Sequence, residues 1–397
     1  MRDAKDGDVS GIMEKPTALS HIVVSQGYPG TFGKHRMQPW VENVNEFLRG
    51  EGFAIHLFAC GDNNLCFTEK QAIFNISKRL VGLSDQFSPV AVTRAFLDEK
   101  PSVAVIHGLQ HLLTLFSMIV YFFRRVPVVI IVHGLYISDS ILLSVRDFLM
   151  KSLLYVFRRY YSVVALTDYD RKLLEEKWWI PLDRIKITKA FLYVNKTELD
   201  KLHQIENSEI KTILERQKTP VFLYVGRLDH DQKRVDEIVK TFYRFLKLRH
   251  SNAELMIAGT GPLKSALSRI IAELGMQDQI KLVGSVTEEE KWLHYLSSRA
   301  LLLMSKFEGM PRVIFEAFAA GKIVIAPDVC GLSEVIKSGV NGFLFKQDEE
   351  VPRLLEKIAS NGQFLQIMEE ATQKLTRMVF TSEKGQKELK LILESQM

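Results

Sequence analysis

The sequence predicts an α/β fold of two Rossmann-like domains facing a central cleft. Three observations carry this. Apolar β-type runs alternate with helical stretches along the chain, and each half opens with a strand followed by a glycine-rich turn. The length, 397 residues, also exceeds what one core usually organises.

In the first half, His21 to Ser25 reads as a strand, and Gly27 to Gly33 as the glycine-rich turn. A helix follows, with Trp40, Val44, Phe47 and Leu48 at 3.6-type spacing; Gly50 and Gly52 end it before a strand from Phe53 to Phe58. Ser102 to Ile106, Pro127 to Val132 and Ser162 to Leu166 are continuous apolar runs, as expected of parallel strands buried on both faces. The first two end in His107-Gly108 and His133-Gly134, and Thr167-Asp168 reads as a cap for a helix from Tyr169.

A polar, Lys/Glu-rich stretch from Asn195 to Thr219 marks the boundary between halves. The predicted organisation is a polar tail over 1–19, a first Rossmann-like domain over 20–200, a linker over 201–219 and a second Rossmann-like domain over 220–397. The last helix is expected to pack back on the first domain. In the second half, strand Val221 to Val225 leads to Gly226-Arg227-Leu228, and Glu254 to Ala258 to Gly259-Thr260-Gly261-Pro262. Strands Ile280 to Val283, Leu301 to Met304 and Ile323 to Ala326 follow.

Composition narrows the function classes. With 47% hydrophobic and 25% charged residues the chain is not disordered. Three cysteines without metal-ligand spacing argue against a disulfide scaffold or structural zinc, so a reducing, cytoplasmic location is expected. The net charge of +5 falls short of a nucleic-acid binder. Residues 121–189 hold twelve Lys/Arg against seven Asp/Glu, which accounts for the whole excess. The most apolar stretch, Leu112 to Val132, is interrupted by Arg124, Arg125 and Pro127, leaving runs too short for about 30 Å of hydrocarbon. The basic window includes MKSLLYVFRRYYS, where apolar and aromatic residues interleave with cations. Such a stretch suits an anionic membrane surface; the alternative is an ordinary helix with Leu153, Leu154 and Phe157 in the core.

Ligands of open parallel sheets gather beyond the carboxyl ends of the strands. Arg227 and Lys233 bracket the loop after the first strand of the second half, and two cations there suit a diphosphate; the alternative is a solvated basic loop. Glu308 and Glu316 are eight apart, Glu308 in a loop and Glu316 on a helix that starts near Pro311. The alternatives are an acid satisfying the helix dipole and a solvated surface residue. Asp229-His230-Asp231 has metal-ligand spacing, but Arg227 and Lys233 already supply the countercharge, so no metal site is assigned. His133, at a strand end before a glycine, is the better candidate of the two histidines.

On these residues the second half resembles the retaining family 4 glycosyltransferases of GT-B fold (glycosyl transferases group 1). The matching segments are Gly226-Arg227-Leu228 with Lys233, Ala258 to Pro262, Val283-Gly284, Glu308 to Gly321, and Cys330 to Ile336 leading to Gly339-Val340-Asn341-Gly342-Phe343-Leu344. The first half matches through Gly27 to Gly33 and His133-Gly134. The chain departs from the family where Phe191-Leu192-Tyr193-Val194-Asn195 replaces a Pro-Asn-Gly segment, and Lys233-Arg234 replaces Lys-Gly.

The resemblance implies a metal-independent, retaining hexosyltransferase with no cofactor, taking a UDP- or GDP-sugar as donor. Arg227 and Lys233 would neutralise the departing diphosphate, Glu308 would bind sugar hydroxyls, and His133 would contact the donor sugar. Glu316 would bind the ribose, and the base would lie near Gly284. Gly33, Gly226, Gly261 and the backbone of Gly309, Met310, Pro311 and Arg312 would complete the binding residues. The implied acceptor is a hydroxyl on a glycan or a lipid-linked molecule, reached from the cytoplasmic membrane face. A GT-B epimerase or hydrolase and an inactive GT-B binding subunit are the alternatives.

Overall fold

The structure is a computed structural model, and it describes residues 17–23, 39–51, 53–61, 71–75, 101–109, 112–133, 135, 141–189, 192–206, 219–249, 252–379 and 382–397. Of the expected tail over 1–19, residues 1–16 lie outside them, as do Gly27 to Gly33 and Gly134, while residues 17–19 open the first strand. Two compact units emerge: Met1–Ile106 with His111–Val129 and Gln396–Met397, and His107–Gln110 with Ile130–Ser395.

The first half supplies strands β1 (Thr17–Val23), β2 (Phe53–Gly61), β3 (Gln71–Asn75), β4 (Val103–His107), β5 (Val128–Ile131), β6 (Tyr161–Ala165) and β7 (Ile185–Ile187). Their order is β3-β2-β1-β4-β5-β6-β7. β1 pairs in parallel with β2 from Thr17↔Phe53 to Val23↔Ala59. Every residue of β4, β5 and β6 is buried, as their unbroken apolar runs require.

The helices of this half are α1 (Pro39–Gly50), α2 (Leu112–Phe123), α3 (Ile141–Val156), α4 (Asp168–Trp178) and α5 (Lys196–Glu206). The apolar stretch from Leu112 therefore divides into a 12-residue helix, a turn with Arg125 at φ 55°, and β5. Among the described residues no helix is long and apolar enough to cross a membrane. Thr167 caps α4 as expected: its Oγ1 accepts from Asp170 N (2.9 Å) and donates to Asp170 Oδ2 (2.8 Å). Trp179, at φ 55°, ends α4 in a left-handed cap, and Pro181 follows. The segment expected to link the halves opens inside α5, which runs to Glu206; residues 207–218 are not described.

The second half forms an all-parallel six-stranded sheet, β10-β9-β8-β11-β12-β13. Its strands are β8 (Val221–Val225), β9 (Glu254–Ala258), β10 (Ile280–Gly284), β11 (Ala300–Leu302), β12 (Ile323–Pro327) and β13 (Gly342–Phe345). Its helices are α6 (Val235–Arg249), α7 (Lys264–Glu273), α8 (Glu288–Ser297), α9 (Arg312–Ala319), α10 (Val351–Ser360), α11 (Gly362–Val379) and α12 (Ser382–Glu394). Phe222 of β8 packs edge-on against Phe242 and Phe245 of α6 with all three rings buried, so α6 is clamped onto the sheet beside the loop that carries Arg227. Against α12, the Thr188 hydroxyl donates to Gly385 O (3.2 Å) and Glu388 Oε2 (3.1 Å).

Candidate active site

Three loops at the carboxyl ends of neighbouring strands are laced backbone to backbone. Gly226 N donates to Ala258 O (3.0 Å), Leu228 N to Thr260 O (2.9 Å), Leu263 N to Leu228 O (3.1 Å) and Gly259 N to Gly284 O (2.7 Å). The glycines follow from this lacing. A Cβ on Gly259 would stand 1.8 Å from Gly226 O, and one on Gly261 would stand 2.3 Å from Leu228 O. Gly284 differs: its φ is +79°, but a Cβ would meet nothing within 4 Å. Backbone conformation alone explains that glycine.

Asp229 shapes the loop after β8. Its Oδ1 accepts from Gln232 N (2.8 Å) and Lys233 N (3.0 Å), folding 229–233 into a tight turn. Arg227 Nη2 stands 2.9 Å from Asp229 Oδ2 and donates to Gln232 Oε1 (2.9 Å). Lys306 N donates to Gln232 O (2.8 Å), which ties this turn to the loop carrying Glu308. Lys233 Nζ then reaches Glu308 directly, at 2.6 Å from Oε1 and 2.8 Å from Oε2. The Ser305 hydroxyl donates to the same carboxylate (2.6 Å). The Glu308 side chain is only 4% exposed and that of Lys233 only 18%, so the solvated alternative for this loop does not hold for Lys233.

Arg227, Lys233 and Glu308 are thus brought together, and each cation already has an acid. Of the Asp229-His230-Asp231 triplet, Asp229 is engaged by Arg227 and the turn, and His230 Nδ1 faces Asp236 (2.9 Å). Arg234 has φ 51°, the left-handed geometry a glycine adopts readily, while its guanidinium pairs with Asp348 (2.6 Å). The departure from Lys-Gly therefore keeps the backbone turn.

Glu316 heads a second cluster. Pro311 caps α9 with extended backbone, and the helix carries Glu316 inward, 5% exposed, which removes the solvated-surface alternative. Its Oε1 accepts from Lys291 (3.0 Å) and Arg312 (3.3 Å), and its Oε2 from the Tyr295 hydroxyl (3.0 Å). Arg312 also bonds Glu198, which a reciprocal bond with Asn195 holds at the start of α5. Burial pushes the Glu316 carboxyl up, but Lys291 and Arg312 outweigh it and hold it below its ordinary range. Met310 is buried and Gly309 half-buried in the approach to α9.

A depressed carboxylate stabilises the fold above its unfolded pKa and loses that contribution as pH falls through the folded value. In Lys291→Met, burial loses its chief opponent and the Glu316 carboxyl rises. The variant is therefore expected to be weakened by about 3–5 kcal/mol at pH 7. That deficit should shrink as pH is lowered towards 4 and Glu316 protonates. Thermal denaturation of both proteins from pH 4 to 8 checks this; a deficit that does not change with pH would contradict it.

His133 sits at the end of β5, its Nε2 2.6 Å from Nδ1 of buried His107, the rings stacked at 5.0 Å. One nitrogen must donate and the other accept, so the pair shares a single proton at that contact. His107 is the partner that orients His133.

Cys330, at φ 50°, stands beside Glu308: its thiol accepts from the Glu308 backbone, and burial pushes its pKa up. Beside it, Tyr169 N donates to Glu334 Oε1 (3.1 Å), and Asp170 is pushed up to about 7 by burial. Gly33 lies outside the described residues. Lys291, Tyr295 and Glu198 escape a sequence reading because none stands in a motif or at a strand end, and Ser305 and Gln232, though in loops after strands, have no spacing that marks them.

Comparisons with known proteins agree with this architecture. Residues 206–375 match Glycosyl transferases group 1, and residues 38–189 match Glycosyltransferase Family 4. An uncharacterized glycosyltransferase of Methanocaldococcus jannaschii is 29% identical over 214 residues, 53% of this chain and 51% of that protein. The lipopolysaccharide 1,6-galactosyltransferase of Salmonella typhimurium is 35% identical over 144 residues, 34% of this chain and 39% of that one. The chain spans about half the length of the first curated relatives it matches. Among solved structures, HepE of Anabaena in complex with UDP superposes with a TM-score of 0.68 at 16% identity, covering 96% of this chain and 100% of that one. With both halves matched in order and the two-sheet architecture shared, the chain belongs to the family 4 glycosyltransferases of GT-B fold.

Proposed function

We propose that this protein is a retaining, metal-independent hexosyltransferase that moves a sugar from a UDP- or GDP-sugar to a hydroxyl acceptor. The observation that carries this is the Lys233–Glu308 pair, buried at the end of β8 beside Arg227. Family membership, the UDP named with the Anabaena structure and the galactosyl transfer named for the Salmonella relative support it.

In this scheme the diphosphate competes with Glu308 for the Lys233 N–H groups and with Asp229 for Arg227. Glu308, relieved of its partner, turns its oxygens to sugar hydroxyls. As the bond from the anomeric carbon to the phosphate oxygen breaks, charge grows on that oxygen, and Lys233 and Arg227 stabilise it. One such donor is worth about 3–4 kcal/mol at an oxyanion. The acceptor oxygen bonds to the same face of the anomeric carbon, its proton passing to the leaving phosphate, so configuration is retained. The two cations provide the countercharge, and no step calls on a metal ion. Glu316 binds the ribose, the open surface over Gly284 takes the base, and His133, oriented by His107, contacts the sugar. Gly226, Gly261 and the backbone of Gly309 to Arg312 line the donor. The acceptor is a glycan or lipid-linked hydroxyl, met at the cytoplasmic membrane surface.

A thermal-shift panel of UDP, GDP and ADP and their sugars, run with and without EDTA, tests the reading. One base is expected to raise Tm in its diphosphate form, with the same shift in EDTA. No shift with any nucleotide, or one that EDTA abolishes, would overturn it.

A further inference from the structure

Helix α3 is apolar on two sides. Met150, Leu154 and Phe157 are buried towards the core, as a surface helix requires. The opposite side should be polar. Instead Phe148 (62% exposed), Leu149, Tyr155 and Val156 (69%) stand in solvent, and their spacing of 0, 1, 7 and 8 places them on one stripe. Of the fourteen large apolar side chains exposed among the described residues, eight fall between 148 and 182. This is a surface feature of one region, not scattered exposure.

Cations outnumber acids along the stripe, where Arg146 and Asp147 precede Phe148. From Phe148 to Thr167 the sequence has Lys151, Arg158 and Arg159 and no Asp or Glu. Arg158 lies over the Tyr155 ring, 4.9 Å from its centroid. Lys151 is 5.4 Å from the ring centroids of both Trp178 and Trp179, which carries the surface across to the left-handed cap of α4, where Trp179 is 64% exposed. Aliphatic side chains at the centre, Tyr and Trp beside them and cations at the edge form the profile of a helix that lies in a bilayer interface.

We infer that the outer face of α3, with Trp179, docks onto an anionic lipid bilayer, the apolar stripe entering the headgroup boundary and Lys151, Arg158 and Arg159 meeting lipid phosphates. This deepens the membrane-surface part of the proposed function and rests on it. Glu175, Glu176 and Asp183, near Trp179 in sequence, are exposed, so the charge that meets lipid phosphates is that of Lys151, Arg158 and Arg159.

The test is co-sedimentation of the full chain with phosphatidylcholine vesicles, with and without 30% phosphatidylglycerol, at low and high salt. Binding is expected only with phosphatidylglycerol and should weaken in salt. Each cation removed should cost about fivefold, so Arg158→Gln with Arg159→Gln should cost about thirtyfold. Phe148→Ser with Leu149→Ser should also lose binding with Tm kept, while Leu248→Ser, equally exposed on α6, should bind like wild type. Equal binding to both vesicle types, no binding, or α3 variants that bind normally would overturn the inference. So would a wild-type dimer that Phe148→Ser with Leu149→Ser dissociates while vesicles go unbound. A nucleotide thermal shift that persists when vesicle binding fails separates loss of this surface from loss of the transferase reading.

Discussion

Lys233→Ala is expected to lower sugar transfer by about 10²–10³-fold and, in addition, to destabilise the fold. The first effect follows from removing a cation where the departing diphosphate gathers charge. The second follows from the structure. Lys233 and Glu308 form a buried pair, the Glu308 side chain only 4% exposed. Removing Lys233 strands that carboxylate with the Ser305 hydroxyl, and breaking a buried pair costs about 3–5 kcal/mol. The two effects separate in a double-mutant cycle. Adding Glu308→Gln to Lys233→Ala should recover most of the lost stability, because the stranded charge is gone. It should recover no activity. Chemical denaturation and initial transfer rates on the four proteins read both quantities. A single Lys233→Ala variant with near-normal turnover would remove Lys233 from the chemistry.

Gly259→Ala should be the most damaging small substitution in the second domain. The added methyl would stand 1.8 Å from Gly226 O, a distance no rotamer relieves because its own backbone fixes the Cβ and the oxygen is itself backbone. The laced loops would have to part, and with them the bonds from Gly226 N to Ala258 O and Gly259 N to Gly284 O. A loss above about 4 kcal/mol, or an insoluble product, is expected. Gly284→Ala is the internal control. Its Cβ meets open space, so the cost is confined to the left-handed backbone, about 1–2 kcal/mol. Denaturation midpoints of the two variants should differ widely; equal midpoints would show that the contact between loops is not what requires glycine at 259.

Where local pattern decides, the sequence and the structure coincide. β8 and β9 fall on the predicted residues, since Val221 to Val225 is apolar throughout between Pro220 and Gly226 and Leu255 to Ala258 is apolar up to Gly259. β7 escapes because Ile185-Lys186-Ile187 is too short to register as a period. The site divides in the same way. Arg227, Lys233 and Glu308 stand at strand ends and in recognisable spacings, so their residue types are legible. Their pairing is not. Lys233 and Glu308 are 75 residues apart, and Arg312 and Glu198 are 114. No periodicity encodes such contacts; they arise only when the strands are ordered in the sheet. Lys291 shows the limit well. In sequence it is one more cation on the polar face of a capped helix, yet folding buries it against Glu316 and makes it the chief reason that carboxylate stays ionised.

The central claim is that Arg227 and Lys233 grip a diphosphate. Calorimetric titration of the preferred nucleoside and of its diphosphate into wild type and into Arg227→Met with Lys233→Met tests it most directly. Two charge-assisted contacts should make wild type favour the diphosphate by about 100-fold or more, and the variant should bind both ligands alike. If the variant keeps the wild-type preference, the phosphates are held elsewhere, and the roles given to these two side chains are wrong.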